Sequence, residues 1–366
     1  MPLRVALTGG GTGGHTYPVV AVAAAVKQAN PQVEFLWIGS GSGPEREVAQ
    51  QIGVRFVAVP TGKLRRYFSL ANLVDIFKVP FGVVEAWFAL GRFDPDVLFS
   101  KGGFVSYPAV MAAWLHDIPI LLHETDAVPG LANRKLASKA ALIATSFPVL
   151  PAELPYAKSI HTGQPIRREL LAGSAQHARD ALKLPKDERL VLAVFGGSQG
   201  AVAVNQVIAE LLPELLPHYQ VIHQVGPDNE EFGRELEQKF GARGYRARGF
   251  YTDELADVYA VADVIVSRAG GQLHELAALG KPTVLLPLPG SASDHQVKNA
   301  DALAKQHAAV MLEAPNLTSQ LMLQTLLKLR HDEGLRRQLG ANIKRVDQPR
   351  AADKIAYWLL RLAELR

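Results

Sequence analysis

A chain of 366 residues is too long for one ordinary core, so two domains are expected. Hydrophobic content of 48% with 20% charged residues suits a soluble α/β protein, and the absence of cysteine excludes disulfides and thiolate zinc sites. A net charge of +4 and a pI near 9.1 fit anionic ligands or an anionic membrane surface, and without a DNA- or RNA-binding signature no nucleic acid is expected as a partner. The first apolar run breaks into glycine after VAL, which argues against a signal peptide, and no apolar stretch approaches the roughly 20 residues of a membrane span.

The first strand-like run, RVALTG, leads into Gly9–Gly14, six residues of which five are glycine, and then into His15 and a small-residue apolar helix. A turn this poor in side chains lets a ligand approach main-chain N–H groups, and the following helix aims its positive end at the same spot. The expected guest is an anion, a phosphate above all. The loop satisfies G-x-G-x-x-G, a weak signal alone. A dinucleotide site would add a carboxylate at the end of the second strand; here VEFLWIG runs into Ser40-Gly41-Ser42, and no Walker lysine is present. His15 reads either as a helix-start residue bonded to backbone or as a general base, its pKa depressed by the helix terminus.

After RFVAVP comes GKLRRYFSLANLVDIFKVPFGVVEAWFAL (Gly62 to Leu90), where Lys63, Arg65, Arg66 and Lys78 stand among Phe68, Phe77, Phe81 and Trp87. That mixture suits shallow adsorption to anionic lipid, or else a core helix with solvated ends. The runs DVLFS and PILLHE are followed by KGGFVSYPAV and HETDAVPGLANR, which should gather at the carboxyl ends of the first sheet, where open α/β sheets bind ligands. His123, Glu124 and Asp126 offer metal donors, but no second histidine or cysteine stands at ligand spacing, so no metal is expected. LIATS closes the first half, and the boundary is expected in KSIHTGQPIRRELL.

The alternation then restarts with RLVLAVFGGSQGAVAVNQVI, YQVIHQVG, DVIVSRAGG and PTVLLPLP, so each half opens with a strand, a glycine-rich turn and a helix. Short apolar strands between helices argue for parallel, doubly wound sheets. Gly196-Gly197-Ser198-Gln199-Gly200 is G-x-S-x-G, the form of a hydrolase nucleophile elbow. Its triad partners would be Asp294 and His295, which are adjacent and poorly placed to pair. The other reading is that Ser198 and nearby N–H groups hold a diphosphate at the helix start. In SRAGGQLHELAALGKP, Glu275 either complements a helix dipole, worth about 0.3–1 kcal/mol, or grips two vicinal hydroxyls of a ribose. The domains are placed at 1–162 and 163–344, with the final helix, 345–366, expected to pack back on the first.

Taken together, GGGTGGHTYP, SKGGFVSYP, HETDAVPGLANR, TGQPIR, GGSQGA, SRAG…ELAALGKP and DHQ…NA resemble, in order and spacing along essentially the whole chain, the MurG family. Its members are the UDP-N-acetylglucosamine transferases that convert lipid I to lipid II in peptidoglycan synthesis. The resemblance implies a GT-B fold, two Rossmann-like doubly wound parallel-sheet domains facing a cleft, and an inverting transfer that needs neither cofactor nor metal. It places the nucleotide sugar on the second domain and the undecaprenyl-diphosphate-linked acceptor on the first, at the cytoplasmic face of the cell membrane as a peripheral protein. By the same resemblance Thr12, Gly13 and Gly14 hold phosphate or sugar with His15 beside them, and Arg167 and Ser198 contact the nucleotide sugar. Main chain at Tyr251-Thr252 reads uracil; Gly271, Gln272, Leu273, His274 and Glu275 wrap the ribose and diphosphate; Gln296 holds hydroxyls of the N-acetylglucosamine.

The chain departs from the family's usual pattern in three places. Thr125-Asp126 replaces Gln-Asn, which makes Asp126 an alternative to His15 as base; Gln164 replaces Asn; and the turn before Glu275 is one residue shorter, which bears on its uracil and phosphate contacts. A GT-B transferase with another sugar or acceptor, a serine hydrolase and a non-catalytic nucleotide-sugar binder are the other readings.

Overall fold

The computed structural model describes residues 2–62, 70–148, 154–197, 200–287, 294–313 and 318–366. The chain divides into two compact units, Met1–Arg167 with Gln348–Arg366, and Arg168–Asp347.

In the first unit the strands are β1 (Arg4–Thr8), β2 (Glu34–Gly39), β3 (Arg55–Ala58), β4 (Val97–Ser100), β5 (Ile120–Glu124), β6 (Leu142–Thr145) and β7 (Ser159–His161). The helices among them are α1 (Gly13–Ala29), α2 (Glu45–Gln51), α3 (Leu70–Phe93), α4 (Ser106–Leu115) and α5 (Leu131–Leu136). All strands pair in parallel, in the order β3-β2-β1-β4-β5-β6-β7. Successive side chains of a strand point to opposite faces, and here both faces are covered, which is why the strands read as unbroken apolar runs. Ala6, Leu36, Ile38, Leu98, Ile120 and Leu122 pack with Ala86 and Leu90 of α3 and Ala109 and Val110 of α4. Their strand neighbours Val5, Leu7, Trp37, Val97, Phe99 and Leu121 pack on the other side with Val19, Val22 and Val26 of α1.

The second unit repeats the plan with β8 (Leu190–Phe195), β9 (Tyr219–Gln224), β10 (Tyr245–Arg248), β11 (Val264–Ser267), β12 (Thr283–Leu285) and β13 (Val310–Met311). Its helices are α6 (Ala175–Ala181), α7 (Val202–Leu215), α8 (Glu230–Phe240), α9 (Leu255–Val261), α10 (Gln272–Leu279), α11 (His295–Ala304), α12 (Ser319–His331) and α13 (Glu333–Val346). The parallel order is β10-β9-β8-β11-β12-β13. Helix α14 (Ala351–Ala363) then rejoins the first unit, where Ile355, Ala356, Leu359 and Leu362 close the core over Val5 and Trp37.

Strand order reverses between β1 and β4 in one sheet and between β8 and β11 in the other. At such a switch point the two flanking connections run to opposite faces and leave a crevice past the carboxyl ends of the strands. The loops there span 9–12 and 101–105 in the first unit, and 196–197, 200–201 and 268–271 in the second. All are glycine-bearing segments singled out in the sequence.

Candidate active site

In the first unit the glycine loop is shaped from beneath by a carboxylate. Glu45, fully buried at the start of α2, accepts hydrogen bonds from the Gly11 N–H at 2.9 Å, the Ser40 N–H at 3.0 Å and the Ser40 hydroxyl. A Cβ on Gly10 would stand 2.3 Å from its carboxyl carbon, so only glycine fits there. A carboxylate thus does reach the end of β2, but it turns inward to protein donors. The indole of Trp37 fixes the other end of the loop by donating to the Gly9 carbonyl at 3.1 Å.

Helix α1 begins behind this loop with exposed Thr12 as its extended N-cap, and the Thr12 hydroxyl lies 3.0 Å from Nδ1 of His15. When Nδ1–H donates to that hydroxyl, Nε2 is the nitrogen able to take a proton. The ring stands beside Gly103, where a Cβ would come within 3.5 Å of it. Gly102 and Gly103 both have φ above +80°, a left-handed conformation that suits glycine, and a Cβ on Gly102 would strike the Asn133 amide at 2.7 Å.

That amide ties in the next loop. Asn133 donates to the His123 carbonyl at 3.0 Å and to Glu124 at 2.9 Å, while the N–H groups of Asp126 and Gly130 donate to Glu124 at 3.0 Å each. The His123 ring bonds the Gly163 carbonyl at 3.0 Å. Glu124 and His123 therefore organise the loop, and among the described residues no group of three metal-ligating side chains occurs. Burial pushes the Glu124 carboxyl up, and the charge of Asp126 adds to this. Against them lies Lys101, buried after β4 with its ammonium on the Thr125 hydroxyl; burial pulls it down to about 8, opposed by Glu124 and Asp126. Asp126 itself is half-buried. Arg167 lays its guanidinium over the Tyr17 ring, 4.2 Å from the centroid, with its Nε buried.

In the second unit Gly197 and Gly200 have φ of +87° and +77°, and a Cβ on Gly200 would strike the Val225 carbonyl at 2.2 Å. Ser198 lies outside the described residues. Gln224, buried at the end of β9, donates to the Gly197 carbonyl at 3.2 Å and accepts from the Tyr251 N–H at 3.1 Å. One side chain thereby joins the glycine loop to the Tyr251-Thr252 segment, in which Thr252 is exposed. The Arg268 guanidinium reaches the Gly196 carbonyl at 3.4 Å. Glu275, half-exposed in the first turn of α10, accepts from the Tyr259 hydroxyl at 2.6 Å. Leu273 and His274 are buried. Gln296 is buried in the first turn of α11, and Asn299 one turn on holds the Ala269 carbonyl at 3.0 Å, fixing α11 to the turn that carries Gly271.

Residues 5–145 match the glycosyltransferase family 28 N-terminal domain and residues 191–354 its C-terminal domain. The UDP-N-acetylglucosamine--N-acetylmuramyl-(pentapeptide) pyrophosphoryl-undecaprenol N-acetylglucosamine transferase of Lachnospira eligens is 37% identical over 96% of this chain and 97% of its own. This chain belongs to the MurG family of glycosyltransferases. The enzyme of the same description from Lachnoclostridium phytofermentans is 39% identical over 88% of this chain and 89% of its own. The crystal structure of Acinetobacter baumannii MurG superposes with a TM-score of 0.76 at 25% identity, covering 98% of this chain and 100% of that one. A UDP-GlcNAc 2-epimerase from Neisseria meningitidis, at 14% identity and a TM-score of 0.69, shares the fold alone. The fold is accordingly GT-B. Family membership, rather than the geometry at Ser198, removes the hydrolase reading.

Four polar residues that shape the MurG-type loops here, Glu45, Lys101, Gln224 and Tyr259, were not distinguished in the sequence. Glu45 offered one signal: a carboxylate six residues beyond the end of β2, near where a dinucleotide fold would place an acid.

Proposed function

We propose that this chain transfers N-acetylglucosamine from UDP-N-acetylglucosamine to the muramoyl sugar of an undecaprenyl-diphosphate-linked acceptor, turning lipid I into lipid II. The acceptor hydroxyl attacks the anomeric carbon from the face opposite UDP; the bond to the diphosphate oxygen breaks as the new glycosidic bond forms, inverting that centre. A base on the first unit takes the hydroxyl proton, and His15 is the assigned group, with Asp126 the alternative. Negative charge growing on the departing diphosphate is met by main-chain N–H groups at the starts of α7 and α10, with Ser198 and Arg167 as further donors and no metal required. Glu275 holds the ribose hydroxyls, Thr252 lies at the uracil, Gln296 holds the sugar, and Thr12, Gly13 and Gly14 hold phosphate or sugar. The protein works as a peripheral enzyme on the cytoplasmic face of the membrane.

The observation that carries this reading is the pair of glycine loops, each at the switch point of its own sheet and each opening a helix, in a chain of this family. The test is incubation with nucleotide sugars and a lipid-diphosphate-muramoyl acceptor analogue, scoring UDP release. UDP-N-acetylglucosamine should be consumed far faster than GDP or ADP sugars, and EDTA should leave turnover intact; strict dependence on a divalent ion would overturn the mechanism. In the same assay at saturating donor, His15→Ala should lose roughly 100-fold or more in kcat together with the acidic limb of the pH profile. If it keeps both, the base is Asp126, and Asp126→Asn should show that loss instead.

A further inference from the structure

Tyr259 is fully buried on α9, its ring edge-on to Phe195 at 5.5 Å, and Phe195 is the last residue of β8 before the second glycine loop. A buried phenol needs a hydrogen-bond partner, and here the direction of its bonds is determined. The Ser267 hydroxyl lies 2.9 Å from Oε1 of Gln272 and 3.1 Å from the Arg268 carbonyl, and the amide nitrogen of Gln272 donates to the Tyr259 oxygen at 2.8 Å. With that donor on its oxygen, the phenol directs its own proton to Oε2 of Glu275, at 2.6 Å, a short bond of the charge-assisted kind. The chain of bonds runs from the end of β11 through α10 and α9 and ends on the carboxylate.

A glutamate that only complemented a helix dipole would gain nothing from a fixed orientation. A carboxylate that must present itself to two vicinal hydroxyls does gain, because ordering a flexible side chain on binding lowers affinity. We propose that Tyr259 is a positioning residue for the donor: it aims the Glu275 carboxylate and so sets the preference for a ribonucleotide over a deoxyribonucleotide. The proposal rests on the assignment of Glu275 to the ribose.

The test is calorimetric titration of the full chain with UDP and with 2′,3′-dideoxy-UDP. In Tyr259→Phe, which keeps the ring, UDP should bind about tenfold more weakly while dideoxy-UDP binds within about twofold of wild type. Retained dideoxy-UDP binding also shows that the variant is folded. Combined with Glu275→Gln, Tyr259→Phe should add no further loss, since both act on one contact. Equal weakening of the two nucleotides would reduce Tyr259 to a packing residue, and unchanged UDP affinity would remove it from the site; either result overturns the proposal. A preference for UDP that survives Glu275→Gln would sink the ribose assignment itself, whereas one that survives only Tyr259→Phe leaves that assignment standing.

Discussion

At the scale of single residues, Lys101 is the least expected feature of the first unit, since an ammonium is rarely buried without compensation. Its compensation is the Thr125 hydroxyl and the charges of Glu124 and Asp126, and burial still holds it at about 8, against its ordinary 10.5. Between those values the unfolded chain binds the proton and the folded one does not, so stability rises with pH across that window. The burial penalty is fully present below about pH 8, and on the order of 3 kcal/mol of it is relieved by pH 10.5. Chemical denaturation of wild type and Lys101→Met from pH 8 upward follows this group, because titrations of groups remote from it cancel in the difference. Wild-type stability relative to the variant should climb from pH 8 upward, and a flat difference would mean that Lys101 keeps an ordinary pKa in the fold. His15 and Glu275 were legible because each follows a glycine turn at a helix start. Lys101, Gln224 and Tyr259 were not, because their roles arise from partners at distant positions, such as Tyr259 with Glu275.

At the scale of elements, the strands that were legible are those buried on both faces. β1, β2, β4, β5, β8 and β11 read as apolar runs because neighbouring side chains face two different helical layers. Two edge strands escaped this logic, although the edge strand β3 did not: β10 is YRAR and β13 has two residues, since a strand paired on one side needs little apolar surface. The glycine loop of the first unit shows a further limit. Its sequence announces a bare backbone, but its shape depends on Glu45, whose oxygens meet donors from Gly11 and Ser40. Glu45→Gln keeps the volume but sets an amide NH2 against backbone N–H groups, leaving a buried donor unpaired at a cost of about 1–3 kcal/mol. Thermal denaturation should show that loss. kcat/KM for the acceptor should fall as well, with UDP affinity unchanged because the nucleotide loops belong to the other unit. Normal acceptor kinetics in a destabilised variant would make Glu45 a structural residue only.

At the scale of the whole molecule, the open question is how a chain whose described helices include none long and apolar enough to cross a membrane meets a lipid-linked acceptor. Of the two readings of the stretch from Gly62 to Leu90, the described part of α3 supports adsorption. Ala86 and Leu90 are buried against α4, but Phe77, Phe81, Val84 and Phe88 recur at helical spacing on the opposite face and are 70%, 68%, 53% and 64% exposed. Arg65, Arg66 and Phe68 lie outside the described residues. Trp87 stacks on His116 at 4.8 Å, and beyond it Trp114 and Leu115 are exposed, with the Lys139 ammonium 3.6 Å over the Trp114 ring. An exposed apolar stripe, with exposed Lys78 on the same helix and Lys139 over Trp114, is costly to leave in water and suits the headgroup boundary of an anionic bilayer. Anionic vesicles should therefore recruit the protein more strongly than neutral ones, and raised salt should weaken recruitment by screening the cations while the apolar stripe keeps a residual affinity. Replacing Phe81 and Phe88 by serine removes much of that stripe without touching Ala86 or Leu90. The double variant should lose sedimentation with vesicles and turnover of a long-chain acceptor, while turnover of a short, water-soluble acceptor stays near wild type. Equal losses with both acceptors would show that these phenylalanines serve the fold or the reaction and not the membrane.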